Sequence, residues 1–227
     1  MKKAVCIVFA ALMMLLGVTV KSEAVDFQNI YGFRENDDMM IALTFDDGPH
    51  PKITPKILEI LEKHDVKATF FMIGENVEYY PNVVRSVVEA GHEIGNHTYS
   101  HPHISRINEE TLAREISKCD NAVSKLTGIH PKLFRPPEGV IDNVVKVISS
   151  TNDYSVILWR VDTRDWAGTS ASAIEKNISQ NVRSGDIILM HDYISKNCHT
   201  VEAVERIIPI LLKKGYKFVT VSELIEK

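Results

Sequence analysis

Two adjacent carboxylates and two spaced histidines are the side chains of this sequence best suited to chemistry. Asp46 and Asp47 end an apolar run in the stretch LTFDDGPH, and like charges so close raise each other's pKa unless a positive group compensates. His97 and His101 are spaced i, i+4, so one helical turn would present both imidazoles to a single metal ion. Two histidines and one aspartate make a catalytic type of zinc site, and the second aspartate would then be free as a general base.

Further polar groups could complete such a site. Arg135, in a loop stiffened by two prolines, could face the free carboxylate and keep it ionised, although a surface arginine is the alternative. His191 follows an apolar run and could act as a general acid, with Asp162 orienting its imidazole. A second metal ligand or a structural core histidine are the alternatives for His191. Trp166 could line a substrate wall or lie in the core.

The elements that must position these residues alternate between strand and helix. The sequence predicts seven strands, at residues 40–45, 68–73, 93–95, 132–134, 154–161, 186–190 and 217–221. Amphipathic helical segments between them favour a mainly parallel sheet in one α/β domain, either an open doubly wound sheet or an incomplete barrel. Because the loops that leave the carboxyl ends of parallel strands converge on one face, we expect the polar groups to meet there.

The first 24 residues have the pattern of a secretory signal peptide. A pair of lysines precedes an apolar run that reaches Val20, and a small-x-small site predicts cleavage after Ala24. The alternative is an uncleaved segment that anchors the protein in the membrane, because the run is close to the minimum length of a span. Both alternatives predict an exported protein, secreted or associated with the cell wall. An N-terminal lead, 25–38, and one catalytic domain, 39–227, are expected to follow.

The composition argues against several classes of partner. The formal net charge is −4 over 227 residues, and no broad basic segment indicates nucleic acid binding. After the leader, no apolar stretch is long enough to span a bilayer. No segment indicates a stable protein partner, so a monomer is expected. Cys119 and Cys198 are compatible with free thiols or with a disulfide in an exported protein.

Five motifs in a fixed order resemble one known family. The stretches TFDDGP, HTYSHP, RPPEG, DTRDW and LMHD, between Thr44 and Asp192, are similar to the motifs of the NodB-homology polysaccharide deacetylases, carbohydrate esterase family four. The resemblance implies a distorted, incomplete (β/α) barrel. It also implies a divalent metal, usually zinc with Co²⁺ as an alternative, bound by Asp47, His97 and His101.

The same resemblance assigns the remaining roles. It implies that Asp46 is the general base, that Arg135 tethers it, and that His191 is the general acid, oriented by Asp162. It further implies a substrate pocket formed by Trp166, Leu189, Pro137 and Glu138.

The resemblance implies hydrolysis of an N-acetyl group on an extracellular or cell-wall glycan. Peptidoglycan amino sugars are the first expectation, followed by chitin oligosaccharides and by O-acetyl xylan as an ester substrate. Glu138 departs from the family, which usually has tyrosine there, and we expect its side chain to point outward, toward the sugar. That departure also supports an alternative of another class, a non-catalytic glycan-binding or sensor domain.

Overall fold

The computed structural model describes residues 30–151, 154–193 and 199–226. The predicted signal peptide and Cys198 lie outside the described residues, so cleavage and cysteine pairing stay predictions. Cys119 is fully buried. Within the described ranges, no helix combines the length and the apolarity that crossing a bilayer requires.

One curled sheet organises the fold, and its strand ladders are all parallel. The strands are β1 (Ile30–Tyr31), β2 (Met40–Asp46), β3 (Thr69–Met72), β4 (Glu93–Asn96), β5 (Leu133–Phe134), β6 (Ser155–Ile157), β7 (Val161–Asp162), β8 (Ile187–His191) and β9 (Lys217–Val219). Their spatial order is β1-β6-β5-β4-β3-β2-β8-β7, and β9 pairs with the first residues of β2. The prediction of an incomplete (β/α) barrel is confirmed.

Helices connect the strands, as parallel pairing requires. They are α1 (Ile53–Lys63), α2 (Gly74–Tyr79), α3 (Pro81–Glu89), α4 (Glu109–Thr127), α5 (Asn143–Thr151), α6 (Ala171–Asn181), α7 (Thr200–Lys213) and α8 (Val221–Ile225). The longest, α4, begins where the Asn108 side chain accepts a hydrogen bond from Thr111 N and ends at Gly128 in the left-handed conformation. Both ends therefore follow from ordinary capping chemistry.

The strand predicted over 154–161 is two strands, and the break between them shows how the sheet curls. Only residues 158–160 connect β6 to β7, although the two strands lie toward opposite ends of the sheet order. Such a link reaches about 14 Å at most, so the two ends of the sheet must lie close together. Leu158 N donates to Tyr31 O on one edge, and Arg160 N donates to Ile187 O near the other. β1 was missed because it has two residues and lies in the polar lead.

Alternation along β2 separates the helix-packed core from the barrel interior. Ile41, Leu43 and Phe45 belong to the large cluster that also contains the buried faces of α1 and α7. Met40 and Ala42 belong to a second cluster, which the last helix, α8, joins through Val221 and Leu224. Because side chains alternate along a strand, Thr44 and Asp46 share the face of Met40 and Ala42, toward the barrel interior.

Candidate active site

The two adjacent aspartates point in different directions because the backbone turns between them. Asp46 is the last residue of β2 and is 3% exposed. Asp47 follows in the left-handed region at φ 74°, which is unusual for a residue with a Cβ. Its carboxylate is directed at two histidines, whereas the Asp46 carboxylate meets an arginine. The turn thus gives neighbouring residues separate partners.

Arg135 is fully buried and pairs with Asp46. Its Nη1 donates to Asp46 Oδ1 at 2.6 Å and to Thr44 Oγ1 at 2.8 Å. Its Nε and Nη2 donate to the carbonyls of Ile157 and Leu158, at the link between β6 and β7. The guanidinium therefore joins the carboxylate to the link between β6 and β7, where the two ends of the sheet lie close together. Burial lowers the Arg135 pKa, and the charge of Asp46 opposes that shift.

Asp47, His97 and His101 converge, as the sequence predicted. His97 Nε2 lies 3.4 Å from Asp47 Oδ1, and His101 Nε2 lies 3.5 Å from the same oxygen. The prediction that a helical turn joins the two histidines is wrong. Residues 97–103 form a loop, and Thr98 and His101 both have positive φ. These left-handed residues bring the two rings to a centroid distance of 5.0 Å without helical spacing.

The donor set fits a divalent cation. One potential ligand atom from each of the three residues lies within 4.8 Å of the others, and Asp47 Oδ1 is buried with no hydrogen-bond partner. His97 Nδ1 is 2.7 Å from the Arg135 carbonyl, to which it can only donate, so Nε2 carries the lone pair that faces Asp47. A histidine held in this way is typical of metal ligands.

The carboxylates of this group favour positive charge on His97, whereas burial lowers the pKa of His101. Burial by itself would lower the pKa of His97, but the carboxylates of Asp46 and Asp47 outweigh it and raise that pKa. Burial would raise the pKa of Asp47, but the three nearby histidines, His97 foremost, lower it. Negative potential at a place that offers three ligand atoms is the condition for cation binding.

Asp165, and not Asp162, holds His191. The prediction that Asp162 orients this imidazole is wrong: His191 Nδ1 donates to Asp165 Oδ1 at 2.8 Å, whereas Asp162 Oδ1 accepts from the backbone N of Arg164. Both acids occur in DTRDW, and sequence could not choose between them because the direction of each depends on the left-handed turn at Arg164, φ 55°. Asp162 still lines the cavity beside His191.

The contact with Asp165 makes His191 an acid at neutral pH. Burial by itself would lower the His191 pKa, but the hydrogen bond and charge of Asp165, with smaller contributions from Asp46 and Asp47, raise it to about 9. The imidazole is therefore protonated near pH 7. Its Nε2 proton is then the one available to a group in the cavity, since Nδ1 is bonded to Asp165.

A cavity of about 470 Å³ lies above these groups. Asp46, Asp47, His97, His101 and His191 form its polar part. The walls are Leu189, Trp166, Glu138 and also Trp159, which the sequence did not single out because it belonged to one long predicted strand. Pro137 is buried and does not line the cavity.

Glu138 stands at the rim of the cavity. Its backbone is left-handed at φ 59°, and the next residue is Gly139, where a Cβ would come within 2.6 Å of the Trp159 ring. The Glu138 carboxylate lies 3.1 Å from His103 Nδ1, with 49% and 57% of the two side chains exposed. The rim thus carries an exposed contact between Glu138 of the third motif and His103, which follows the second motif.

Asp192, next to His191, lies beneath the first motif. It is buried, and it accepts a hydrogen bond from Thr54 Oγ1 at 2.5 Å. Burial raises its pKa to about 7. A Cβ at Gly48 would lie 2.2 Å from the carboxylate, so the glycine of the first motif is required by a residue far away in the sequence.

Comparison with known proteins identifies the family. The polysaccharide deacetylase family matches residues 33–157, and the chain belongs to this family. A peptidoglycan-N-acetylglucosamine deacetylase of Bacillus cereus is 43% identical over 188 residues, which are 82% of this chain and 68% of that protein. The crystal structure of the Bc1960 peptidoglycan N-acetylglucosamine deacetylase superposes with a TM-score of 0.83 at 40% identity, covering 86% of this chain and 92% of that one.

Another relative shares the fold but is a pseudoenzyme. BA3943 of Bacillus anthracis, a pseudoenzyme of carbohydrate esterase family four, superposes with a TM-score of 0.80 at 31% identity, covering 86% of this chain and 68% of that one. A mutant of BA3943 has restored enzymatic activity. In this family, therefore, the fold alone does not decide whether a protein is active.

Proposed function

We propose that this protein is a metal-dependent deacetylase that removes N-acetyl groups from amino sugars of peptidoglycan outside the cell membrane, as a secreted or wall-associated protein. One observation carries the proposal: Asp46, the Asp47–His97–His101 group and His191 all face one cavity. The substrate follows from the relatives, two of which are peptidoglycan-N-acetylglucosamine deacetylases of Bacillus cereus. N-acetylglucosamine is therefore the first sugar to test, ahead of N-acetylmuramic acid and chitin oligosaccharides.

Asp47, His97 and His101 would hold the cation, for which Zn²⁺ is the first candidate and Co²⁺ the second. A cation bound there would supply Lewis-acid polarisation of the acetyl carbonyl. Asp46 lies beside this group, with its Oδ2 3.8 Å from His97 Nε2. Because Arg135 occupies Asp46 Oδ1, the other oxygen is free to accept a proton from the attacking water.

His191, on the strand β8 that neighbours β2, completes the reaction. As the amide C–N bond breaks, protonated His191 gives its Nε2 proton to the leaving nitrogen, which departs as the amine of the sugar. Asp165 stabilises the imidazolium before the transfer and keeps the ring oriented. Leu189, Trp159 and Trp166 give the acetyl group an apolar surrounding. The products are acetate and a free amino sugar.

The proposed roles explain why catalysis is favoured over a silent glycan-binding domain. A pseudoenzyme with a similar fold exists, so the fold cannot carry the argument. Here a residue is present for each proposed role, and the partners lie together within each group: Asp46 with Arg135, Asp47 with His97 and His101, and His191 with Asp165. A domain that only binds glycan has no need of a histidine held as an acid.

Acetate release tests the proposal. The purified protein is incubated with peptidoglycan, chitin oligosaccharides and acetylated xylan, with a chelator, and after addition of Zn²⁺ or Co²⁺. We expect release from peptidoglycan that the chelator abolishes and zinc restores, and mass spectrometry of the digested wall should show the loss of acetyl groups from N-acetylglucosamine. The double variant His97→Ala/His101→Ala is the control and should bind no zinc. Glycan binding without acetate release, at any metal, would support the binding domain instead.

A further inference from the structure

Thr200 is a buried hydroxyl that none of the roles above uses. It is the first residue of α7 and is fully buried. Its Oγ1 donates to Asp165 Oδ2 at 2.7 Å. The helix behind it is anchored in the core by Ala203, Val204 and Ile207, so the hydroxyl is held on a rigid element.

The contacts of Asp165 show what this hydroxyl does. Oδ2 accepts from Thr200 Oγ1 and from the backbone N of His191 at 2.8 Å. Oδ1 accepts from the backbone N of Trp166 at 3.0 Å and faces His191 Nδ1. Among the described residues, the side chains that donate to this carboxylate are those of His191 and Thr200. With Oδ2 occupied in this way, Oδ1 stays directed at the imidazole.

We propose that Thr200 is a positioning residue for proton transfer, which acts through Asp165 to fix the orientation of the His191 imidazole. The inference rests on the proposed function, in which His191 is the general acid. The hydroxyl also shares the negative charge of Asp165, since a hydrogen bond to a carboxylate stabilises its ionised form. His191 can then release its proton to the leaving amine more readily than it could if Asp165 lacked this donor.

The charged groups that face His191 set the direction of the expected change. They are Asp165 from the turn after β7, Asp162 at the end of β7, which lines the same cavity, and, at longer range, Asp46 and Asp47 from the end of β2. Without the Thr200 hydroxyl, the Asp165 carboxylate keeps more of its negative charge for the imidazolium, so His191 binds its proton more tightly. His191 should therefore lose that proton at higher pH.

Thr200→Val removes the hydroxyl and keeps the shape of the side chain. We expect kcat to fall about tenfold with little change in KM, and the basic limb of the pH profile to move up by about one pH unit. Thr200→Ser keeps the hydroxyl and should retain most of kcat and the wild-type limb. Thr200→Ala is a second hydroxyl-free variant if the valine protein folds poorly.

Thr54→Val is the matched control. Thr54 is also fully buried in the first turn of a helix and also donates to a carboxylate, that of Asp192, but it does not contact Asp165. Its loss should lower the melting temperature without moving the basic limb. The inference is wrong if Thr200→Val only loses stability, as Thr54→Val does, or if the serine and valine variants are equally impaired.

An NMR titration of the His191 imidazole separates this inference from the proposed function. An upward shift of the titration in Thr200→Val, absent in Thr200→Ser, supports the contact through Asp165 even if the wild-type protein releases no acetate from any substrate. An unchanged titration overturns it, whether or not the protein is an active deacetylase.

Discussion

Two contacts between a basic and an acidic side chain occupy the floor and the rim of the cavity. On the floor, Arg135 and Asp46 are buried, 2.6 Å apart, and surrounded by further hydrogen bonds. At the rim, His103 and Glu138 are 3.1 Å apart and about half exposed. Removal of one partner from a buried pair is costly, whereas an exposed pair contributes about 0–1 kcal/mol.

This difference in burial predicts that the floor affects the reaction and that the rim affects the choice of substrate. The floor holds the proposed general base, Asp46, in one orientation, and Arg135 also joins it to the link between β6 and β7. A change there is therefore expected to affect catalysis and folding together. The rim holds Glu138, at a position where water competes for every contact. Substitution at the rim should therefore adjust sugar binding and leave the chemistry intact. Four experiments test this comparison.

The largest effect is expected for Asp46→Asn. The amide keeps the size of the side chain but cannot accept a proton from water, so kcat should fall by about 10²–10⁴-fold. Zinc binding should persist, because Asp47, His97 and His101 remain. Acetate release and metal content measured on the same sample check both statements. Near-wild-type turnover would show that Asp46 is not the general base and that the floor has no catalytic role.

Arg135→Met should show the structural role of the floor. It leaves the Asp46 carboxylate buried without its partner and the carbonyls of Ile157 and Leu158 without a donor. We expect the free energy of unfolding in urea to fall by about 3–5 kcal/mol. His103→Gln at the rim is the matched measurement, with an expected loss of less than about 1 kcal/mol. Equal losses in the two variants would contradict the contrast between floor and rim.

The pH dependence of turnover should report His191. Its pKa is raised to about 9, so the imidazolium is present at neutral pH and is lost as the pH rises through that value. A cation bound by Asp47 would lower the His191 pKa. The value of kcat/KM should therefore decline at or below about pH 9. The stability that the Asp165–His191 pair contributes is complete below the ordinary pKa of histidine and is lost over the same rise. Asp165→Asn should move the limb to lower pH; a limb that stays in place would exclude His191 as its source.

The smallest effect is expected for Glu138→Gln at the rim. The substitution removes the charge and keeps the hydrogen-bonding shape, so KM for peptidoglycan fragments should change by about two- to fivefold, as for an exposed contact worth under about 1 kcal/mol. The kcat value should stay close to wild type. Glu138→Tyr, the residue usual in the family, gives the second point of the comparison. A large fall in kcat in both variants would show that Glu138 takes part in the reaction. The contrast between floor and rim would then be wrong.

The class of fold and the main groups of the site could be predicted from the order of residues alone. Alternating strand and helix segments were enough for a parallel sheet, because each crossover must place a helix against it. The residues after the strand ends were enough for the convergence of Asp46, Asp47, His97, His101, Arg135 and His191, because the carboxyl ends of parallel strands share one edge. These inferences depend on period and order, which are local properties of the chain.

Which side chains contact each other depends on the tertiary structure. Asp165 and not Asp162 meets His191 because a left-handed residue turns the chain between them, and the two histidines meet through a loop rather than a helix for the same kind of reason. Thr200 and Thr54 donate to carboxylates that lie far from them in sequence. The direction of a side chain depends on backbone angles at single residues and on neighbours that only folding supplies, and neither leaves a periodic pattern in the sequence.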